Sequence, residues 1–258
     1  MEKKKICFVN SINPNFLGGV SLYQENLIKS LYKNKYEITW IYKSYKEEKY
    51  SKGGINYVGL KVRKMLFIDD IVFNNKVGRY LKKNYFDIIN SHAICGYWLR
   101  NYKKKSGQKI IHTYHGLGVP YYKVQLRRYN FLKRILLSSI LLPLGFITDR
   151  PPMKKADSII CVSNKVKEQV ERTYFKRKNI YVIRTGVELS KFKLINKKDA
   201  RRKINLEAEK SYGLYVGKGG YWIKGLDRAV KLSEEIYKLN KNFRLIVIGS
   251  DYEKVKKL

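Results

Sequence analysis

The residues best suited to chemistry lie in LYVGKGGYWIKGLD, Leu214 to Asp227, where Lys218 and Lys224 stand six residues apart among glycines. An apolar run leads in, so the pair falls at the turn from a strand into a helix. Two ammonium groups at that junction, beside the positive end of the helix, match a diphosphate carrying about two negative charges. The stretch is not a Walker loop, because no Ser or Thr follows a Gly-Lys pair after four spacers. In so basic a chain the competing reading is two ordinary surface lysines.

A second candidate is SINPNFLGGVSLYQENL, in which Gly18 and Gly19 precede the first helix. Small residues there let a phosphate or a hydroxyl-rich acceptor reach backbone N–H groups. Plain turn glycines would look the same. Two of the three histidines are expected at carboxyl ends of strands, where open parallel sheets bind ligands. His92 follows FDIIN, and His115 with Gly116 closes KIIHTYHG. His112, inside that strand, faces the opposite way from His115 and reads as structural. No carboxylate or thiol clusters beside HTYH, so no metal is expected.

These positions presuppose elements. Strands are expected at 5–10, 36–42, 55–60, 86–90, 109–115, 157–163 and 179–183, with helices from about Val20, over 70–84, and after Ser163 as its cap. On the first helix, Val20, Tyr23, Leu27 and Leu31 define the apolar face. Such alternation predicts a parallel sheet covered on both sides. The acceptor-type domain then spans 1–183, a charged stretch over 184–204 reads as a linker, and 205–258 holds a second α/β unit. That unit has a strand at 211–217, a helix at 224–239 and a strand at 243–250, and looks unfinished.

Fifty-five Lys and Arg against 21 Asp and Glu give a net charge of +34, a field that attracts polyanions. The lysines are spread along the chain, without a nucleic-acid module or a basic stripe interleaved with aromatics, so no specific nucleic acid is expected. Cys7, Cys95 and Cys161 have no metal-ligand spacing and suit a reducing, cytoplasmic setting. The first apolar run, ICFV, is too short for a signal peptide. The greasiest segment, Ile135 to Ile147, has 13 residues and includes Pro143 and Gly145, too short to span a bilayer. It reads first as a buried helix. The alternative is a patch on an anionic membrane surface, since Lys133, Arg134, Arg150, Lys154 and Lys155 flank it.

Taken in order, GGV, DIINSH, HTYHG, ADSIICVSNKVKEQV, NIYVIRTGVELSKF, LYVGKGGYWIKGLDRAVKL and LIVIGSD resemble the group 1 family of retaining glycosyltransferases with the GT-B fold. The resemblance runs almost end to end. It implies two facing Rossmann-like domains, a nucleotide sugar held mainly by the second, a glycan or lipid-linked acceptor held by the first, and no metal. It also implies that Lys218 and Lys224 contact the donor diphosphate, that Gly19 lies near the donor phosphate, and that His115 lies near the transferred sugar. Retention by a front-face route would let the leaving phosphate help deprotonate the acceptor, and no carboxylate pair suited to double displacement is evident. The family commonly has Arg where Lys218 stands, which keeps the charge but not the planar fork. The family also continues past the equivalent of Leu258 into a loop with two glutamates. The sequence therefore predicts a fragment or a shortened, donor-poor product. A non-catalytic partner subunit retaining the acceptor domain is the rival of another class, and a basic nucleic-acid binder a weaker third.

Overall fold

A computed structural model describes residues 3–16, 18–31, 35–65, 68–217 and 224–249. In chain order the elements are β1 (Lys4–Val9), α1 (Gly19–Ser30), β2 (Tyr36–Ser44), β3 (Glu48–Lys52), β4 (Ile55–Lys61), α2 (Asp69–Lys83) and β5 (Ile88–His92). A 3₁₀ stretch, Ala93–Asn101, leads to β6 (Lys109–Tyr114), α3 (Gly118–Gln125) and α4 (Phe131–Lys155). Then come β7 (Ser158–Cys161), α5 (Asn164–Thr173), β8 (Ile180–Val182), α6 (Lys197–Lys203), β9 (Ser211–Val216), α7 (Leu226–Leu239) and β10 (Phe243–Ile248). The fold is α/β with a large, mostly parallel sheet, as expected.

The chain divides into two units: Met1–Lys123 with Phe131–Gly186, and Val124–Asn130 with Val187–Leu258. The short 124–130 stretch joins the second unit, which the sequence did not suggest. The first unit is built on an eight-stranded sheet of order β3-β4-β2-β1-β5-β6-β7-β8. Among the described residues of this sheet, only the β3–β4 pairing is antiparallel. β1 has β2 on one side and β5 on the other, so the strand order reverses there, and a crevice opens at such a switch point.

Both faces of this sheet are covered, which is why its strands read as continuous apolar runs. On one face Phe73, Val77 and Leu81 of α2 pack with Cys7, Val9, Ile89 and Ile110. On the other, Ile28 of α1 packs with Ile6, Phe8, Ile38 and Trp40. Ser163 caps α5 by accepting from the Val166 N–H, as its sequence position predicts.

Four differences from expectation have physical causes. The inward face of α1 is Ser21, Tyr23, Gln24 and Ile28, two of them polar, whereas Val20 and Leu27 are only partly buried. β3, with the charged sequence EKYSK, is an edge strand without an apolar signature. The 184–204 stretch contains helix α6, capped by the Asn196 side chain accepting from the Lys198 N–H. The segment 135–147 is not a buried helix: Ile135, Leu136, Ile140, Phe146 and Ile147 are exposed.

In the second unit, β9 and β10 pair in parallel, and α7 contributes buried Leu226 and Val230. Gly225 precedes α7 with φ 74°, a left-handed conformation that favours glycine.

Candidate active site

The site in the first unit forms where β1, β5 and β6 end. The β5–β6 register sets His92 beside Thr113. His115, two residues beyond Thr113, returns to the same side. The same register puts His112 beside Ser91, and Ser91 Oγ lies 2.8 Å from His112 Nδ1. His112 is thus a buried structural residue. His92, expected just past its strand, is the last residue of β5 and fully buried.

The two imidazoles meet directly: His92 Nδ1 lies 3.1 Å from His115 Nε2. Tyr23 of α1 closes over both, its ring edge-on to His115 at 4.9 Å and to His92 at 5.8 Å. Burial pushes the His115 pKa down to about 4 and that of His112 to about 3, with His115 adding to the latter shift. Burial, then the neighbouring His115 and His112, holds His92 well below the ordinary range. Both members of the pair are therefore neutral at pH 7, and one ring must donate to the other. If His92 Nδ1–H donates, His115 Nε2 accepts, and His115 carries its single ring proton on Nδ1, where it can be offered to a ligand oxygen. The reverse arrangement would leave a buried N–H on His92 Nε2, which has no partner among the described residues. An unpaired buried donor is rarer than an unpaired acceptor, so the first tautomer is favoured.

Other unpaired polar atoms gather at this end of the sheet. Asn10 Nδ2, just after β1, Ser21 Oγ, and both amide atoms of Gln24 are buried without partners among the described residues. Native interiors satisfy nearly all such groups, so a concentration of exceptions marks a place for water or a polyhydroxylated ligand. Their sequence signal is helical spacing: Ser21 and Gln24 fall on the face of α1 that also carries Ile28.

The loop after His115 is held by Asp149 of α4. Its Oδ2 accepts from the Gly118 N–H at 2.5 Å, and its carbonyl accepts from Tyr114 Oη. Burial raises the Asp149 pKa to about 7, partly offset by the Gly118 N–H. Gly118 and Gly145 approach so closely that an added Cβ on either would lie 2.9 Å from the other's backbone.

Gly18 is the N-cap of α1 and Gly19 its first residue. A Cβ at Gly19 or at Gly116 would meet nothing within 4 Å, so the fold does not need glycine for space at either position. Lys224 is exposed and immediately precedes Gly225. Lys218 lies outside the described residues, and with it the geometry of the lysine pair. Among the described residues no group of three or more His, Cys, Asp or Glu could hold a metal ion.

The model of Glycosyltransferase Family 4 matches residues 17–191. The chain belongs to glycosyltransferase family 4. Among curated relatives, an uncharacterized glycosyltransferase, MJ1178, of Methanocaldococcus jannaschii is 28% identical over 95% of this chain and 60% of its own length. This family 4 chain thus spans about 60% of that relative. Two solved structures share its fold at a TM-score of 0.68 each. One is a sucrose-phosphate synthase from Thermosynechococcus elongatus, 17% identical, with 95% of this chain and 71% of that one covered. The other is WaaG, a glycosyltransferase involved in lipopolysaccharide biosynthesis, 13% identical, with 96% and 65% covered.

Proposed function

We propose that this family 4 protein transfers a sugar from a nucleotide-sugar donor to a glycan or lipid-linked acceptor, with retention of configuration. The observation that carries the reading is the neutral His92–His115 pair among unsatisfied buried polar atoms at the switch point. Neutral imidazoles and amides both donate to and accept from hydroxyl groups, which suits a sugar. His115, through Nδ1–H, donates to an oxygen of the sugar in transit. His92 is the positioning residue that fixes its tautomer.

Lys218, Lys224 and Gly19 are assigned to the donor diphosphate. Charge builds on that group as the glycosyl bond breaks, and fixed cations stabilise it more in the transition state than in the ground state. No metal is required by this scheme, because the ammonium groups supply the countercharge. Gly18, Gly116 and the residues around His92 border the acceptor. We infer a cytoplasmic reaction. Cys7, Cys95 and Cys161 are free and buried, as expected where thiols stay reduced.

Incubation with a panel of UDP- and GDP-sugars and a mixed glycan acceptor pool tests the reading. Transfer is expected, with His115→Ala lowering kcat/KM by about 10²–10³. His92→Gln should act mainly on kcat with donor affinity kept. Acceptor binding without any donor binding or turnover would overturn transfer in favour of a non-catalytic partner subunit.

A further inference from the structure

Helix α4 carries an apolar face that the first unit does not use. At 100° per residue, Leu141, Gly145, Thr148 and Pro152 fall on one side, and these are buried. Leu132, Ile135, Leu136, Ile140 and Ile147 fall on the opposite side, and all are exposed, Leu132 by 77% and Leu136 by 64%. The first ten residues of the helix, 131–140, contain no buried residue at all. By length and composition alone α4 could cross a membrane. Its buried stripe instead fastens its second half to the unit, so the free face is available sideways and not as a span.

The charges settle what fits. Continuing the same helical count, Arg150 and Lys154 lie on the exposed side, beyond the apolar stripe, and both are exposed. Lys133 and Arg134 flank its beginning. The one acid in the helix, Asp149, is buried and turned inward to Gly118. An apolar strip bordered by cations and free of exposed anions complements acyl chains under phosphate headgroups. Several large apolar side chains exposed along one face of a helix mark an interaction site.

We propose that the exposed face of α4 docks the protein onto an anionic phospholipid bilayer, with Leu132, Ile135, Leu136 and Ile140 entering the interface and Arg150 and Lys154 meeting lipid phosphates. The helix lies in the plane of the surface. The proposal does not depend on sugar transfer, and its test reads no activity.

Flotation with vesicles of phosphatidylcholine alone, and of phosphatidylcholine mixed with phosphatidylglycerol, is the experiment. The protein should float with the mixed vesicles and hardly with the neutral ones. L132S/L136S should weaken that binding by roughly tenfold or more. R150Q/K154Q should weaken it about tenfold and flatten the preference for anionic lipid. Because the native cysteines are buried, L136C can be labelled with an environment-sensitive dye, whose emission should shift to the blue on mixed vesicles. Flotation unchanged in L132S/L136S would mean that the +34 surface adsorbs without inserting, and would overturn the proposal. So would no flotation at all, or an unmoved dye. Loss of self-association in L132S/L136S by sedimentation velocity would instead assign the face to a second copy. Circular dichroism melts matching the parent would show that the surface variants fold.

Discussion

The strands of the two units look alike in sequence and fare differently in space. KKICFV of β1 and SYGLYV of β9 are both short apolar strands in parallel pairings. In β1 the last four residues are buried, whereas in β9 Leu214 and Val216 are 64% and 66% exposed. The cause is cover, since β1 lies mid-sheet between β2 and β5 with packed layers on both faces. Around β9 the described residues supply β10 and one helix. A parallel strand is therefore stabilised less by its own residues than by what lies on either side of it.

The sharpest way to break this contrast is a pair of truncations. Phe73→Ala, at a fully buried position of α2, should cost about 3–5 kcal/mol in urea denaturation followed by the fluorescence of buried Trp40 and Trp98. Leu214→Ala should cost less than about 1 kcal/mol by far-UV circular dichroism. Equal losses would show that the outer face of β9 is covered after all.

A smaller effect is confined to the first unit. His92, His112 and His115 have pKa values below 6.5 in the native state, so the unfolded chain takes up protons first as pH falls. Stability should be flat with respect to these rings above pH 6.5 and decline from there towards about 4. The slope is up to about 1.4 kcal/mol per pH unit for each ring that stays neutral. Asp149 works the other way, because its raised pKa adds stability at low pH that is lost as pH rises through about 7. Asp149→Asn should therefore steepen the acid decline, as read in melts over pH 4–8. A slope that does not steepen would remove Asp149 from this balance.

The smallest effects concern glycines in the two units. Gly225→Ala should cost about 1 kcal/mol, because φ 74° strains a residue with a Cβ. Gly19→Ala should leave the melt unchanged, since open space surrounds that Cα. Any loss of transfer in Gly19→Ala then belongs to ligand approach and not to folding.

Much of the architecture was legible because the covered strands are uninterrupted apolar runs and the Ser163 cap is a local signal. β3 was not, because an edge strand need not be apolar. Both His92 and His115 could be assigned to strand ends, but their contact depends on the register between β5 and β6, which no single segment encodes. Ser21 and Gln24 are not legible by periodicity, because polar residues on a buried face contradict the apolar pattern that defines that face. The exposure of α4 is not legible for a related reason: apolar content says that a surface will be covered, not by what.

The large sheet ends, on one side, in β3, five residues of which two are lysines and one a glutamate that accepts from Tyr42 and Ser44 hydroxyls. On the other it ends in β8, only three residues long. Both margins thus offer a stranger's backbone little to zip onto. Crowded copies of this chain should resist stacking into fibrils through the margins of this large sheet, whatever their helices do.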